Sequence, residues 1–418
     1  MEIKRHDYLQ ILNDSAGKTD LVKVITGMRR TGKTTVMLQH LDNLRALGVP
    51  EGSICYIDLD MIGEEVSSSR LREMIGPCLE QDGTHYILID EIQDVDGWER
   101  VVAMLVARRD CDVYITGSNS RMLSSELSTK LSGRYMEIEI LPLSFKEYME
   151  LHGGDPEERF LHFLRYGSLP SIEPDRGERV CRAQSEGVYN TVMMKDVLSR
   201  ISGKADKLTR ICRFLYSNIR NITNAERISE ALGTSDDTVR KYLGAIVEAH
   251  LFYHADRYDI CGKKVFTTKG KYYATDLGMR SMLVNANELR DLSAPLENVV
   301  YFELLRRGYR VFVGSFRDKE VDFTAMKGDD VRYYQVSKTV MGDATYDREI
   351  ASLKSVADNY EKTVLTLDKF GLGNDEGVRI VNVIDWLLSG KERRRRWRTR
   401  SRRPIIHRQH RESSGVQL

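Results

Sequence analysis

The stretch Gly27-Met28-Arg29-Arg30-Thr31-Gly32-Lys33-Thr34 restricts the fold of this chain more than any other. It fits the phosphate-binding loop pattern of Gly, four residues, Gly, Lys and Ser or Thr, entered from the apolar run 21–26 and followed by the amphipathic segment 35–41. Gly27 and Gly32 allow backbone conformations that a Cβ resists, so successive N–H groups can turn inward around a β-phosphate. The positive end of the following helix adds attraction. Lys33 is placed to reach β- and γ-phosphates, and the Thr34 hydroxyl to ligate Mg²⁺. Arg29, Arg30, Thr31 and Thr35 complete the expected ATP contacts.

A second stretch supports the first. His85-Tyr86-Ile87-Leu88-Ile89-Asp90-Glu91 reads as an apolar strand ending in two carboxylates, the form of a Walker B element. Asp90 is expected at the carboxyl end of a central parallel strand, holding the Mg²⁺ shell beside Thr34. Glu91, one residue further out, is the candidate to polarise the attacking water, which implies hydrolysis rather than nucleotide storage.

Length and composition leave room for two or three domains in 418 residues. The net charge is only +1, so no global field announces nucleic acid. Residues 391–418 form a basic tail, dense in arginine over 391–403, and such a run repels itself and is expected to be disordered in isolation. It would suit RNA, DNA or an acidic lipid surface, or be a solvated or non-native tail. The six cysteines are scattered without a Cys-x-x-Cys pair, which argues against a zinc ribbon or a disulfide framework and fits a reducing cytoplasm. The amino terminus lacks the apolar core of an export signal, and no apolar run approaches the length of a membrane span. The expectation is a cytoplasmic protein.

Strand and helix patterns alternate through residues 1–150. An amphipathic helix is expected in the first 20 residues, strands at 21–26, 53–59, 85–90, 111–119 and 134–140, and helices at 35–41, 69–79 and 98–105. This alternation predicts an α/β fold, a P-loop NTPase with a doubly wound parallel sheet. The extra strand between the P-loop strand and Walker B, with glutamate after the aspartate, points to P-loop ATPases with catalytic glutamates. Ser118 or Asn119, in Thr116-Gly117-Ser118-Asn119, is the candidate polar sensor of the γ-phosphate; a plain turn is the other reading. Arg134, in Ser132-Gly133-Arg134, reads as an arginine finger or sensor acting in this subunit or the next, or as a surface arginine on a strand end.

The sequence Gly-x-Arg-Arg-x-Gly-Lys-Thr-Thr over 27–35, Ile-Asp-Glu-Ile-Gln over 89–93 with Trp98-Glu99, Thr-Gly-Ser over 116–118, Ser-Gly-Arg-Tyr over 132–135 and Leu-Pro-Leu-Ser-Phe-Lys-Glu-Tyr over 141–148 resembles a prokaryotic AAA-type ATPase family. Its members usually carry a carboxy-terminal domain known as DUF4143. The resemblance covers residues 1 to about 390 and implies ATP binding and hydrolysis; the tail falls outside it. Oligomerisation, as rings, is an implication of the resemblance alone.

Beyond the core, residues 151–220 read as a helical connector, 221–285 as a winged helix-turn-helix and 286–390 as a nuclease-like domain. In the helix-turn-helix, 225–232 ends at Gly233 and Ser235 caps a second helix, with 251–253, 265–267 and 271–273 supplying the wing. Asp236 and Asp237 open the second helix and would repel a phosphate backbone, so packing or partner binding is favoured over DNA reading. Glu297, Asp322 and the strand 331–338 resemble the PD-(D/E)xK nuclease scaffold. There Gln335 takes the second acid's position and Ser337 the lysine's, while Lys338 is one residue out of register and turned to the opposite face. A site short of one carboxylate is poorly charged for Mg²⁺, which predicts a degenerate domain without cleavage.

These readings converge on an ATP-binding, ATP-hydrolysing AAA-type switch or motor acting on a macromolecular partner that the sequence does not identify, a protein being favoured over nucleic acid. The alternatives are a nucleic-acid-binding module gated by ATP and, less favoured, a metal-dependent nuclease.

Overall fold

The computed structural model describes residues 3–390 apart from 64, 120–130, 132, 202, 285–288 and 318, and without the side chains of 200, 268 and 343–345. The basic tail 391–418 and Ser132 lie outside the described residues.

Five parallel strands form the first sheet: β1 (Val22–Thr26), β2 (Ile54–Asp58), β3 (His85–Asp90), β4 (Cys111–Thr116) and β5 (Tyr135–Glu139). Their order is β2-β3-β4-β1-β5. Alternate residues of the central strands feed two separate cores, because successive side chains leave opposite faces of a sheet. Val22, Val24, Ile87, Ile89, Val113 and Ile115 pack with residues of the helices Ser68–Ile75 and Trp98–Arg108. Ile25, Leu88 and Tyr114 pack on the other face with the helices His6–Ser15 and Lys33–Ala46. This is the doubly wound sheet that the alternation predicts. The chain leaves β1 for the far edge, returns through β3 and β4, and crosses β1 to reach β5. The carboxyl ends of β1, β3 and β4 are thereby gathered at one edge, and β4 stands between the P-loop strand and the Walker B strand.

One charge interrupts the apolar run of β1. Lys23 is fully buried and paired with Asp112 of β4, whose other oxygen accepts the Tyr114 hydroxyl at 2.8 Å and the Gly17 N–H at 2.7 Å. His40, on the helix after the P-loop, packs against the Tyr114 ring, with Nδ1 3.2 Å from Asn13 Oδ1. Burial, reinforced by the charge of Lys23, depresses the His40 pKa from 6.5 to about 4. The folded imidazole thus stays neutral where the unfolded one takes up a proton, so stability present above pH 6.5 is lost as the pH falls toward 4. By pH 5 the loss should be about 2 kcal/mol, at 1.36 kcal/mol per pH unit. Urea denaturation of the wild type and of His40→Gln at pH 7 and pH 5 checks this. A pH dependence that survives the substitution undiminished would assign the acid sensitivity elsewhere.

Helices follow the first sheet. Pro156–Tyr166 begins at Asp155, whose carboxylate accepts the N–H groups of Glu157 and Glu158, with proline at the first helical position where its missing N–H costs nothing. Glu178–Thr191 runs on as a π-helical segment, Val192–Val197. Ala225–Leu232 and Asp236–Glu248 form the expected helix pair. Asn224 and Ser235 are their caps, and Gly233 between them takes the left-handed conformation at φ 62°.

An eight-stranded sheet completes the described chain. It comprises β6 (Phe252–Asp259), β7 (Lys264–Ala274), β8 (Arg310–Phe316), β9 (Lys319–Lys327), β10 (Asp330–Ser337), β11 (Glu361–Thr366), β12 (Gly373–Asp375) and β13 (Val378–Asn382) in the order β12-β13-β11-β10-β9-β8-β6-β7. The β6–β7 hairpin lies where a wing is expected, but β6 also pairs in parallel with β8. The segments read as 221–285 and 286–390 therefore share one sheet, and one apolar core runs from Leu141 and Phe145 through the helices to Phe323 and Trp386. No described helix is long and apolar enough to cross a membrane.

Candidate nucleotide site

The P-loop takes its shape from its glycines and a buried lysine. Gly27 has φ 135°, and a Cβ there would collide with the carbonyl oxygen of Ile140, so only glycine lets the loop close against the end of β5. Gly32, at φ 100°, stands at the N-cap of the helix Lys33–Ala46. Arg30 adopts a left-handed φ of 68°, a strained choice for a residue with a side chain. Lys33 is buried, its Nζ donating to the carbonyls of Gly27 at 3.1 Å and Met28 at 3.3 Å. Arg5, for which the sequence gives no signal, ties the amino terminus to this loop. Its buried guanidinium donates to the carbonyls of Thr31 at 3.2 Å and Leu141 at 2.9 Å and pairs with Glu147 at 2.7 Å.

The ends of β3 and β4 complete the edge. Thr34 Oγ1 donates to Asp90 Oδ2 at 2.6 Å, and the Thr116 hydroxyl donates to Asp90 Oδ1 while accepting the Glu91 N–H at 2.9 Å. Burial pushes the Asp90 carboxyl above its ordinary pKa, against the hydrogen bonds from Thr116 and Thr34. Glu91 stands in the left-handed region at φ 53°, which turns its carboxylate back toward the P-loop. One oxygen lies 3.6 Å from Lys33 Nζ and the other accepts Gln93 Nε2 at 2.5 Å. Burial alone would raise the Glu91 pKa; the Lys33 ammonium, the Gln93 amide and Arg29 outweigh it and hold the carboxyl below its ordinary value.

A cleft of about 800 Å³ opens over these groups. Arg29, Arg30, Lys33, Thr34, Thr35 and Glu91 lie along one wall. The other wall is Pro170 together with Ala183, Gly187 and Thr191, spaced four residues apart on one face of Glu178–Thr191. That second wall was invisible to motif reading. Asp196, on the π-helical segment, reaches the same edge: Oδ2 accepts Arg29 Nε and Oδ1 accepts the Ser118 hydroxyl, each at 2.8 Å. Asn119, next along from Ser118, is buried.

Arg134 is not brought to this edge. It precedes β5, which pairs with β1 in the register Val22 with Tyr135 and Thr26 with Glu139, so it stands at the end of the sheet opposite the P-loop. Five residues of strand separate the two ends, about 17 Å at the usual rise. It is exposed, and its Nε donates to the Leu131 carbonyl at 3.2 Å. Any contact with a phosphate must be made in a neighbouring subunit's site.

The residues fit a nucleoside triphosphate and a divalent cation. A glycine cradle, a buried ammonium held only by main-chain carbonyls and one carboxylate, and a hydroxyl–carboxylate pair at the mouth of the cleft are the donor set such a ligand needs. The fold and this edge define a nucleotide-binding P-loop ATPase. The AAA domain family matches residues 19–149, and a domain of unknown function, DUF8612, matches residues 157–290, a different family from the DUF4143 expected there. The chain is similar to an uncharacterized protein of Haemophilus influenzae, 34% identical over 400 residues that span 92% of this chain and 98% of that one. It is also similar to the uncharacterized protein MJ1544 of Methanocaldococcus jannaschii, 27% identical over 87% of this chain and 85% of the other. Among solved structures, AMPPCP-bound DnaA from Aquifex aeolicus aligns at 15% identity with a TM-score of 0.31, over 58% of this chain and 88% of that one, a likeness too slight to carry an argument. The chain belongs to the AAA-type P-loop ATPase family.

A second cluster of charge lies in the eight-stranded sheet. Glu297, on the helix Ser293–Arg306, and Glu320 and Asp322 of β9 surround the ammonium of Lys271 from β7. Lys271 Nζ lies 2.9 Å from Glu297, 2.6 Å from Glu320 and 3.7 Å from Asp322. Gln335 does not face an open site: its Oε1 accepts the Asp322 N–H at 3.2 Å and its Nε2 donates to Glu349 at 2.7 Å. Lys338 is exposed. Among the described residues no group of three or more His, Cys, Asp or Glu side chains is arranged to hold a metal.

Proposed function

We propose that this chain is an ATP-hydrolysing AAA-type switch or motor that passes a nucleotide-driven change to residues 157–390 and through them to a protein partner. The observation that carries this reading is the position of Glu91, buried and ionised within 3.6 Å of the P-loop lysine. Gly27, Gly32 and Lys33 cradle the phosphates, with Arg29, Arg30, Thr31 and Thr35 around them. Thr34 and Asp90 are the residues that would hold Mg²⁺, which supplies charge neutralisation of the phosphate oxygens when bound. Glu91 accepts a proton from the attacking water, and Gln93 and the left-handed backbone aim its carboxylate. Thr116 fixes Asp90 and the Glu91 backbone together, and Ser118 or Asn119 senses the γ-phosphate end. Arg134 acts in trans in a homo-oligomer. The six cysteines, all free, suit a reducing cytoplasm.

The helix pair with its β6–β7 hairpin is read here as a winged helix, yet reading DNA with it is disfavoured. Arg240, the first cation of the second helix, is already paired with Asp236 at 2.7 Å. The nuclease-like domain is inactive in this reading, since a lysine fills the space among its carboxylates.

Mg²⁺-dependent ATP hydrolysis by the full chain, across protein concentrations and with or without DNA, tests the reading. Turnover per molecule should rise with concentration and fall at least tenfold in Arg134→Ala, in line with the size of arginine-finger effects. Turnover that is independent of concentration and of Arg134 would refute the role in trans. Stimulation by DNA would favour the ATP-gated nucleic-acid module, and absence of hydrolysis with ATP bound would reduce the protein to a nucleotide-gated switch.

A further inference from the structure

Asp196 is a carboxylate at 1% exposure, placed where the chain departs from the α-helical pattern. Over Val192–Val197 the helix widens to a π turn, a rare geometry that recurs at functional positions. Both of its oxygens are spent on the ATPase core rather than on its own region. One accepts Arg29 Nε within the P-loop, and the other accepts the hydroxyl of Ser118, two residues beyond the Thr116 that fixes Asp90. Arg29 lines the cleft, and Lys195, the neighbour of Asp196, lines the wall opposite. One carboxylate therefore joins residues 157–290 to the P-loop, whose Arg29 lines the cleft, and to the buried Ser118 just past the end of β4.

Arginine and a hydroxyl are also the donors a terminal phosphate selects, and a guanidinium binds phosphate oxygens through the same charge-assisted bonds it offers a carboxylate. The geometry points to Asp196 as an internal stand-in for the γ-phosphate: its carboxylate holds Arg29 and Ser118, the donors for which the terminal phosphate of ATP competes. We infer that this competition releases the segment Val192–Val197 and is how ATP, but not ADP, is reported to the rest of the chain. The inference rests on the ATP-site reading above. ADP has no group at that position and leaves the latch closed, so the two nucleotides acquire different effects on the second wall from one ion pair.

The test is equilibrium binding of ATP and of ADP, with Mg²⁺, to the full-length wild type and to Asp196→Asn. Removing the competitor should tighten ATP about tenfold, within the usual range of coupling between sites, and change ADP by less than about twofold. A residue that only props up the fold would weaken both ligands instead. ATP binding that is unchanged or weaker in a folded Asp196→Asn overturns the latch while leaving the ATP-site reading intact; a wild type that binds no ATP overturns both. Should the variant not fold, hydrogen exchange of the wild type decides. The amides of residues 192–198 should exchange faster with a non-hydrolysable ATP analogue than with ADP, and equal exchange overturns the proposal.

Discussion

Replacing Lys33 with alanine is expected to weaken ATP binding by at least about 100-fold and to abolish turnover, whereas Glu91→Gln should bind ATP within a few-fold of wild type and lose turnover by about 10²–10⁴. The lysine figure follows from two lost charge-assisted contacts to phosphate, each of about 1.5–3 kcal/mol, at 1.4 kcal/mol per decade. The contrast follows from where the two groups point. The Lys33 ammonium, held by the carbonyls of Gly27 and Met28, lies inside the loop that encloses a phosphate, so its loss removes binding. Glu91 is a carboxylate, and a carboxylate does not bind a triphosphate; its contribution is confined to the proton it takes from water. Lys33→Ala also leaves Glu91 buried without its nearest cation, so some loss of stability should accompany it, and binding must be measured on material shown to be folded. Titration with a fluorescent ATP analogue and a coupled phosphate-release assay read the two quantities separately. Unchanged turnover in Glu91→Gln would remove that residue from its role.

Much of the ATPase core was legible because its chemistry is local in sequence. The P-loop, its strand and its helix are contiguous, and the Walker B acids follow their strand directly. The alternation of β1 to β5 with helices likewise predicts a parallel sheet, since residues buried on both faces read as continuous apolar runs. The end of the first helix of the pair and the cap of the second were legible for the same reason: Gly233 and Ser235 act on groups three to four residues away. What was not legible depends on distance in sequence. Arg5 meets Leu141, Asp196 meets Arg29 and Ser118, and Lys271 meets Glu297 and Asp322 through pairings that no spacing rule encodes. Arg134 stands next to a strand that pairs with the P-loop strand, so sequence placed it near the site; register alone puts it at the far end. The boundary read at 285/286 met the same difficulty, because the parallel pairing of β6 with β8 bridges some fifty residues of chain.

Lys271→Met should destabilise the protein by about 3–5 kcal/mol at pH 8, the usual cost of removing one member of a buried ion pair. The methionine keeps the length and apolar body of the side chain, so the change isolates the charge. Burial by itself would lower the Lys271 pKa, but the carboxylates of Glu297, Asp322 and Glu320 more than reverse it, so the ammonium is charged throughout the accessible range. Without it, Glu297 and Asp322 remain buried side by side. Asp322 is already poised: burial, with Glu297 adding to it, raises its pKa from 3.8 to about 7, and the Lys271 charge is what restrains the rise. A carboxyl whose folded pKa is raised binds its proton more tightly folded than unfolded, so its cost to stability grows as the pH rises from 3.8 through the folded value. Loss of Lys271 moves that value higher still. The variant should therefore recover part of its deficit when the pH is lowered from 8 to 5.5, because protonating Asp322 removes one of the charges the ammonium had neutralised. Urea denaturation of both proteins at the two pH values measures this, and the double variant Lys271→Met/Glu297→Gln should be less destabilised at pH 8 than the single one. An equal deficit at both pH values, with no rescue by Glu297→Gln, would show that the side chain matters for packing alone. Rescue by acid and by Glu297→Gln would instead identify Lys271 as a tethered cation that neutralises the buried carboxylates around it.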